Sequence, residues 1–425
     1  MKSNSPCGRP VQRDCDVVIA GAGLVGAALG IGLAQAGLQV VVCERGAPPT
    51  GLAPDPRGLA LNLRSTEILR ALGVWEGIAP HTCPVRHIHV TQQGHFGALR
   101  LSHADLDLPE LGHVCPADRL QQVILARLMA SSRVQIFWNT EIQASYVDAD
   151  LAHVTLRPMS VSANTNVNAM DGHQSLTAAL LVGADGTEST VRTQAGIEAL
   201  PHDYGQTAIV CNVDVTRPAP DTAFERFTTQ GPMAFLPVGG RRYVMVRAAR
   251  TAEVPELLAL CDADYLADAQ RRFGYRLGAL SRPGARRAWP LQGLRAAHRI
   301  AGRRMLIGNA ATTVHPNGAQ GLNLGLRDVA EAVTLLGDAL SRGEDPGDAQ
   351  LLAHFVEARD ADHARTFRLT HAMARGFALE IPAMASLRSL ALLMADRLPI
   401  FKRQAVDALV LGGRSATARN TGALI

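Results

Sequence analysis

Lysine is almost missing from this chain of 425 residues: of its 42 basic residues only Lys2 and Lys402 are lysines, and the rest are arginines. The bias reads as base composition. The basic residues are scattered without a run of five or six, so no tail for nucleic acid is present, and the formal net charge is only +4. Aromatic residues make up 4%, too few for stacking platforms that read RNA. The seven cysteines (Cys7, Cys15, Cys43, Cys83, Cys115, Cys211, Cys261) contain no CxxC pair and are odd in number. That argues against a structural zinc site and a disulfide framework, and for a reducing compartment. His81, His87, His89, His95, His103 and His113 offer no HxxxH face, so no metal is expected. There is no GxSxG elbow for hydrolysis. Met1 to Asp14 is polar, with no apolar core of a signal peptide, and a cytoplasmic location is expected.

Charge is also absent from one long stretch. Val17 to Cys43 is a run of 27 residues without a charged side chain. Its hydropathy alone would suit a membrane span. Six glycines inside it (Gly21, Gly23, Gly26, Gly30, Gly32, Gly37) argue otherwise. Asp16 to Ala20 is β-branched and predicts a buried strand. Gly21-Ala22-Gly23-Leu24-Val25-Gly26 follows with GxGxxG spacing, then a helix over Leu24 to Ala36 closed by Gly37, then a strand over Leu38 to Cys43 ending at Glu44. Gly21 permits the tight turn, Gly23 lets backbone approach a pyrophosphate, and Gly26 lets helix pack on strand. The helix N-terminus then receives the anion. Glu44, 23 positions after Gly21, is placed to grip ribose hydroxyls and would repel a 2′-phosphate, which favours FAD or NAD over NADP.

Two later segments extend the pattern. Leu180 to Thr187 is an apolar strand entering the turn Asp185-Gly186, followed by Ser189 and Val191-Arg192. Met305 to Ala311 is a strand and turn. His315-Pro316, Gly318-Ala319-Gln320-Gly321-Leu322-Asn323-Leu324-Gly325 and Asp328 follow it, opening a long helix predicted over Leu322 to Leu340. Such a loop presents a helix N-terminus to an electron-rich group.

Together these segments resemble the flavin-dependent aromatic hydroxylases of the para-hydroxybenzoate hydroxylase fold, from Val17 to about Gly413. Gly308-Asn309-Ala310-Ala311, His315-Pro316 and Gly318 to Gly325 are similar to the ubiquinone-biosynthesis branch, which includes the polyprenyl-methoxyphenol hydroxylases. Gly231 to Pro237, Phe273 to Gly278 and Leu398 to Lys402 are similar to that branch too. The resemblance implies an α/β protein: a Rossmann-type FAD-binding domain, an interleaved β-sheet substrate domain and a C-terminal helical segment. FAD-binding parts are expected over 14–80, 110–195 and 296–350, substrate-domain parts over 81–109 and 196–295, and the helical segment over 351–425.

The resemblance also implies roles. Gly21, Gly23, Leu24, Val25, Gly26, Glu44 and Arg45 would hold the ADP half of FAD. Arg57 would lie beside the flavin, and Arg119 near the cofactor in an offset register. Asp185 and Gly186 would touch the pyrophosphate or serve NAD(P)H. Gly308 and Asn309 would bind the ribityl chain, with Asn309 where the wider family has Asp, bringing a hydrogen bond without charge. Backbone N–H groups of Gly318, Gly321, Leu322 and Asn323 would face the flavin pyrimidine edge, those at Gly321 and Leu322 stabilising charge on the reduced ring. His315 and Pro316 are the catalytic candidates, His315 as an acid or base or as a residue that orders the loop. The implied reaction takes NAD(P)H and O2 through a flavin C4a-hydroperoxide to hydroxylate a prenylated phenol. A flavin oxidoreductase without oxygen insertion, or a non-catalytic subunit of a quinone-synthesis complex, are the alternatives.

Elsewhere, Val85, Ile88 and Val90, then Leu99 and Leu101, alternate as short strands, and 207–250 reads as further strands around a Gly239-Gly240 turn. Pro158 to Ser175 reads as a long hairpin loop. Leu351 to Leu411 reads as helical. Its apolar stretch Phe377 to Met394 suits core packing or a peripheral contact with the inner face of the cytoplasmic membrane, where a prenylated substrate dissolves.

Overall fold

The computed structural model describes residues 12–49, 51, 55–159, 174–378, 382–398, 402 and 406. The charge-free run folds into strand Cys15–Ala20, helix Leu24–Gln35 and strand Val40–Cys43. The second strand starts later than the β-branched run suggested. Gly37 turns the chain at φ +101°, and the Leu38 N–H closes the helix on the Leu33 carbonyl at 3.0 Å, so Leu38 belongs to the cap. Twelve helical residues fall well short of the roughly 20 that cross a bilayer. Among the described residues no helix is long and apolar enough to do so.

This unit forms the centre of a seven-stranded sheet. Cys15–Ala20 pairs in parallel with Val40–Cys43 on one side and with Gln174–Gly183 on the other. Val134–Phe137 extends the first side and Arg304–Leu306 the second, both parallel. Strand order therefore reverses at Cys15–Ala20. In such sheets a crevice opens beyond the carboxyl ends of the strands at the reversal, and ligands bind there. The hairpin Thr140–Val147 and Ala152–Pro158 adds antiparallel to Gln174–Gly183. The loop expected over 158–175 joins these paired strands, and its residues 160–173 lie outside the described ones.

A second sheet has nine strands and draws on three separated parts of the chain, 87–102, 199–296 and 312–313. Strand Thr222–Thr228 pairs in parallel with His87–Gln92, which pairs with Ala98–Ser102. On the other side lie Gly231–Pro237, Arg242–Arg250, Ala199–Val215 and Arg287–Ala296. Val85, read together with Ile88 and Val90, sits elsewhere: Cys83–Val85 joins a small sheet with Gly58–Asn62 and Gly112–Pro116. The chain crosses to the larger sheet at Arg86, whose N–H donates to the Asp221 carbonyl at 2.8 Å.

Alternation gives the large sheet two faces. One carries Ile209, Cys211, Phe224, Phe235, Tyr243 and Met245, packed under Tyr265 and Phe273 of helix Asp262–Phe273. The other carries Ala234, Val244 and Val246, along with Val90 and Phe227, which pack with Leu392 and Ala395 of the helix over Pro382–Arg397. A methyl of Val244 lies 3.0 Å from where a side chain on Gly58 would begin. Helix Gln320–Ser341 packs against Leu24–Gln35, and Ala349–Ala378 packs against Gln320–Ser341 in turn. Helix Pro382–Arg397 lies on the strands His87–Gln92 and Ala98–Ser102, where the Gly97 N–H donates to Ser389 Oγ at 2.6 Å and the Arg100 N–H to Asp396 Oδ1 at 2.7 Å. Of the stretch Leu398 to Lys402, residues 399–401 lie outside the described ones.

Candidate functional site

The glycine loop stands at the reversal point. Gly21 has φ +97°, and a Cβ there would meet the Ala184 carbonyl oxygen at 2.8 Å, so two neighbouring strands end within contact of each other. A Cβ at Gly26 would lie 2.0 Å from the Gly21 carbonyl, which is the close helix–strand approach expected of the third glycine. Gly23 differs. Its backbone is extended, it is exposed, and a Cβ there would meet nothing within 4 Å. The protein itself does not require glycine at 23, whereas a group lying on the loop would. Gly23 is the N-cap of Leu24–Gln35 with no side-chain cap and no acid in the first turn. The N–H groups and dipole of Leu24, Val25 and Gly26 are thus open to an anion.

Glu44 is locked beside this loop. Its Oε2 accepts from the Ala22 N–H at 2.6 Å and its Oε1 from the Gly46 N–H at 2.8 Å. Arg45 donates to the Thr190 hydroxyl and lies 3.9 Å from Glu141. The turn at 185–190 is held from within: Asp185 accepts from Ser189 Oγ at 2.5 Å and from the Thr190 N–H at 2.7 Å, while Gly186 at φ +83° faces open space. Buried Arg192 clamps this turn to the next, donating to the Thr187 carbonyl at 2.8 Å and the Ala310 carbonyl at 3.0 Å.

Gly308, at φ +56°, turns the chain above Val25. Its N–H donates to Asp328 Oδ2 at 3.1 Å. Asp328 is wholly buried and also accepts from Arg359 Nε at 2.9 Å and His363 Nε2 at 2.6 Å. Burial opposes its ionisation, but His363 and Arg359 outweigh it and hold the carboxyl below the usual range. Burial lowers the His363 pKa, and the ring bridges Asp328 through Nε2 and Thr312 Oγ1 through Nδ1, the latter at 2.9 Å. Asn309 is exposed on this turn.

The loop 315–323 follows. Ala319 adopts a left-handed conformation, φ +53°, as the uncapped N-cap of Gln320–Ser341, and Gly318 lies at φ +68°. Non-glycine residues hold this conformation only where their surroundings enforce it. Asn323 supplies much of the enforcement: Nδ2 donates to the Ala319 carbonyl at 2.8 Å and the Ala60 carbonyl at 2.9 Å, and Oδ1 accepts from the Asn62 N–H at 3.0 Å and Ser65 Oγ at 2.6 Å. Its side chain is saturated, so only backbone N–H groups of this turn, those of Gly321 and Leu322 included, can serve a ligand. His315 is fully buried, edge-on to the Tyr204 ring at 4.8 Å. Burial lowers its pKa to about 4, so the ring is neutral near pH 7. Nδ1 accepts from the Asn317 N–H at 3.3 Å, and Nε2 has no partner. Exposed Pro316 accepts the Ala319 N–H at 2.8 Å through its carbonyl.

Two arginines stand apart from these turns. Arg57 is tied to Asp55 through Nε and NH2, the latter at 2.6 Å, and stacks over Trp289 of the large sheet at 5.3 Å. Arg119 is exposed and donates to Gln122 at 3.3 Å. Two residues on, Gln121 reaches the glycine loop, donating to the Ala22 carbonyl at 3.2 Å. The sequence assigned no role to Gln121, Arg192, Arg359 or His363. The available hint was charge at 359, 362 and 363 within a buried helix face. Among the described residues no group of three or more His, Cys, Asp or Glu side chains could hold a metal ion.

The residues fit FAD: an open glycine at 23 over a free helix N-terminus, a fixed carboxylate at 44, and an uncapped second helix whose loop keeps a buried, unpartnered imidazole nitrogen. Residues 14–369 match the family model described as FAD binding domain. The chain is 34% identical over 417 residues to ubiquinone hydroxylase UbiL of Rhodospirillum rubrum, covering 96% of this chain and 94% of that protein. It is 31% identical to 3-demethoxyubiquinol 3-hydroxylase of Escherichia coli, covering 92% and 97%. The crystal structure of p-nitrophenol 4-monooxygenase from Pseudomonas putida shares the fold, with a TM-score of 0.75, 19% identity and coverage of 94% and 99%. The chain therefore belongs to the FAD-dependent aromatic hydroxylases, among the ubiquinone hydroxylases.

Proposed function

We propose that this protein is an FAD-dependent monooxygenase that hydroxylates a polyprenylated methoxyphenol on the way to ubiquinone, with NAD(P)H and O2 as co-substrates. The carrying observation is a dinucleotide cradle built around Gly23 together with an apolar sheet face, carrying Ala234, Val244 and Val246, that meets the same unit at Gly58. Bound FAD supplies the redox chemistry that activates O2. The chain supplies the rest. The loop at 21–26 with its helix N-terminus binds the pyrophosphate, and Glu44 orients the ribose. The turn at 308–309 takes the ribityl chain, and N–H groups of Gly321 and Leu322 stabilise negative charge at the ring edge. The apolar face excludes water and accommodates the substrate ring.

A prenylated substrate lives in a membrane, and helix Pro382–Arg397 has the means to approach one. Leu390, Met394 and Leu398 are 45%, 42% and 39% exposed and follow one another at helical spacing, the Leu398 N–H bonding to the Met394 carbonyl at 2.8 Å. An apolar stripe of this kind suits contact with a bilayer surface. Deleting the gene and extracting the lipids tests the substrate class. A polyprenylated phenol one hydroxyl short of its successor is expected to accumulate; an unchanged quinone profile contradicts the reading.

A further inference from the structure

The turn proposed above for the ribityl chain is braced from a helix that no sequence motif marks. The Gly308 N–H donates to Asp328 Oδ2 at 3.1 Å, and Asp328 Oδ1 meets His363 Nε2 at 2.6 Å. The other ring nitrogen of His363, Nδ1, meets Thr312 Oγ1 at 2.9 Å. Both ends of the segment 308–312 are thus tied to one buried cross-piece. Its middle is held too. The Ala310 carbonyl accepts from Arg192 at 3.0 Å, and the Asn309 carbonyl accepts from Thr313 Oγ1 at 3.1 Å. Asn309 is left exposed on the turn so held.

Arg359, His363, Phe367 and His371 recur every four residues and so share one face of helix Ala349–Ala378. That face follows the flavin loops in order. Arg359 Nε donates to Asp328 Oδ1 at 2.9 Å, and His363 reaches Thr312. Phe367 packs with Val314 and Leu324, which flank the loop 315–323. His371 lies 3.2 Å from the hydroxyl of Tyr204, whose ring meets His315 edge-on. The His363 and Asp328 side chains are 0% and 1% exposed. A buried ionic network of this kind adds little net stability, because desolvation offsets the attraction. It does fix geometry: the imidazole is rigid, and its two nitrogens hold Asp328 and Thr312 at a set separation.

We propose that His363 is a positioning residue for FAD: by holding Thr312 and Asp328 apart at a fixed distance it sets the shape of the turn 308–312 and the direction in which Asn309 meets the cofactor. The inference rests on the assignment of this turn to the ribityl chain. Being fully buried, the ring acts through its two partners and not by contact with the cofactor. Loss of the Thr312 end leaves a turn anchored at Gly308 alone, and cofactor binding then has to supply the ordering that the brace supplies in the wild type.

The test titrates the full-length apoprotein with FAD, read by quenching of flavin fluorescence. It also records the visible circular dichroism of the bound flavin and the melting temperature of each apoprotein. Thr312→Val removes the hydroxyl at nearly constant shape and leaves His363 and Asp328 in place. It is expected to bind FAD about tenfold more weakly, since one hydrogen bond is at stake, with altered flavin dichroism and an apoprotein melting temperature close to that of the wild type. His363→Phe keeps a ring and loses both bonds, so it should weaken FAD binding further. His363→Gln, which carries a donor and an acceptor, should recover part of the affinity. In the His363→Phe background Thr312→Val should cost nothing more, because the brace is already gone. A merely structural His363 would lower the melting temperature and leave affinity and dichroism unmoved. Wild-type affinity and dichroism in Thr312→Val, or a full added loss in the double variant, overturns the proposal, and Thr312→Val decides it whether or not the His363 variants fold. A wild type that takes up no FAD refutes the cofactor reading and this inference with it; one that takes up FAD no better than Thr312→Val refutes the inference alone.

Discussion

Replacing Gly23 with glutamate separates what the fold needs from what the cofactor needs. Position 23 has φ −64° and ψ 177°, a conformation open to any residue, and a Cβ there meets no atom within 4 Å. The apoprotein should fold with unchanged melting temperature. A pyrophosphate on the loop, however, would face a carboxylate at about 4 Å. At an effective dielectric constant near 20 each pair of like charges at that distance costs about 4 kcal/mol. That alone weakens FAD binding roughly a thousandfold, before the lost backbone contacts are counted. Flavin content after reconstitution, with circular dichroism of the same samples, reads both effects. Unchanged FAD affinity would refute the cradle. A variant that fails to fold would refute the claim that only the cofactor requires glycine here. Gly26→Val is the contrast: its Cβ would sit 2.0 Å from the Gly21 carbonyl, so it should destabilise the protein with or without flavin.

Three further outcomes follow from the geometry. Asp328→Ala strips Arg359 and His363 of a shared buried partner and frees the Gly308 turn, so a loss of about 3–5 kcal/mol in unfolding free energy and weaker FAD retention are expected. His315 has its pKa lowered from 6.5 to about 4 by burial, so between those pH values the unfolded chain takes up a proton that the folded protein refuses. Its contribution to stability therefore falls as pH drops through that window, by about 3 kcal/mol in all, and His315→Gln should flatten the pH dependence of the melting temperature there by one proton's worth. Replacing Leu390 and Met394 together with aspartate should leave FAD binding intact and abolish co-sedimentation with lipid vesicles; binding that persists would place the membrane contact elsewhere.

The glycine loop was legible in the sequence because its signals are local: β-branched strands, glycines and a terminal acid follow one another within 28 residues, Val17 to Glu44. Partners distant in sequence were not. Asp328 meets Arg359 and His363 from another helix, and no spacing rule announces that contact. Register decides which residue of the helix after 117 meets the glycine loop: Arg119, expected near the cofactor in an offset register, is exposed, and Gln121 reaches the Ala22 carbonyl. Asn323 was read beside the flavin, and its saturated side chain shows that the role open to this turn belongs to the backbone.

The central claim is oxygen insertion into a prenylated phenol. The most direct measurement incubates the FAD-loaded protein with NAD(P)H, a polyprenylated methoxyphenol and heavy-isotope O2, and weighs the product by mass spectrometry. The account predicts a hydroxylated ring carrying one heavy oxygen atom from the gas. A product without the heavy isotope, or flavin turnover that leaves the ring unchanged, would contradict it.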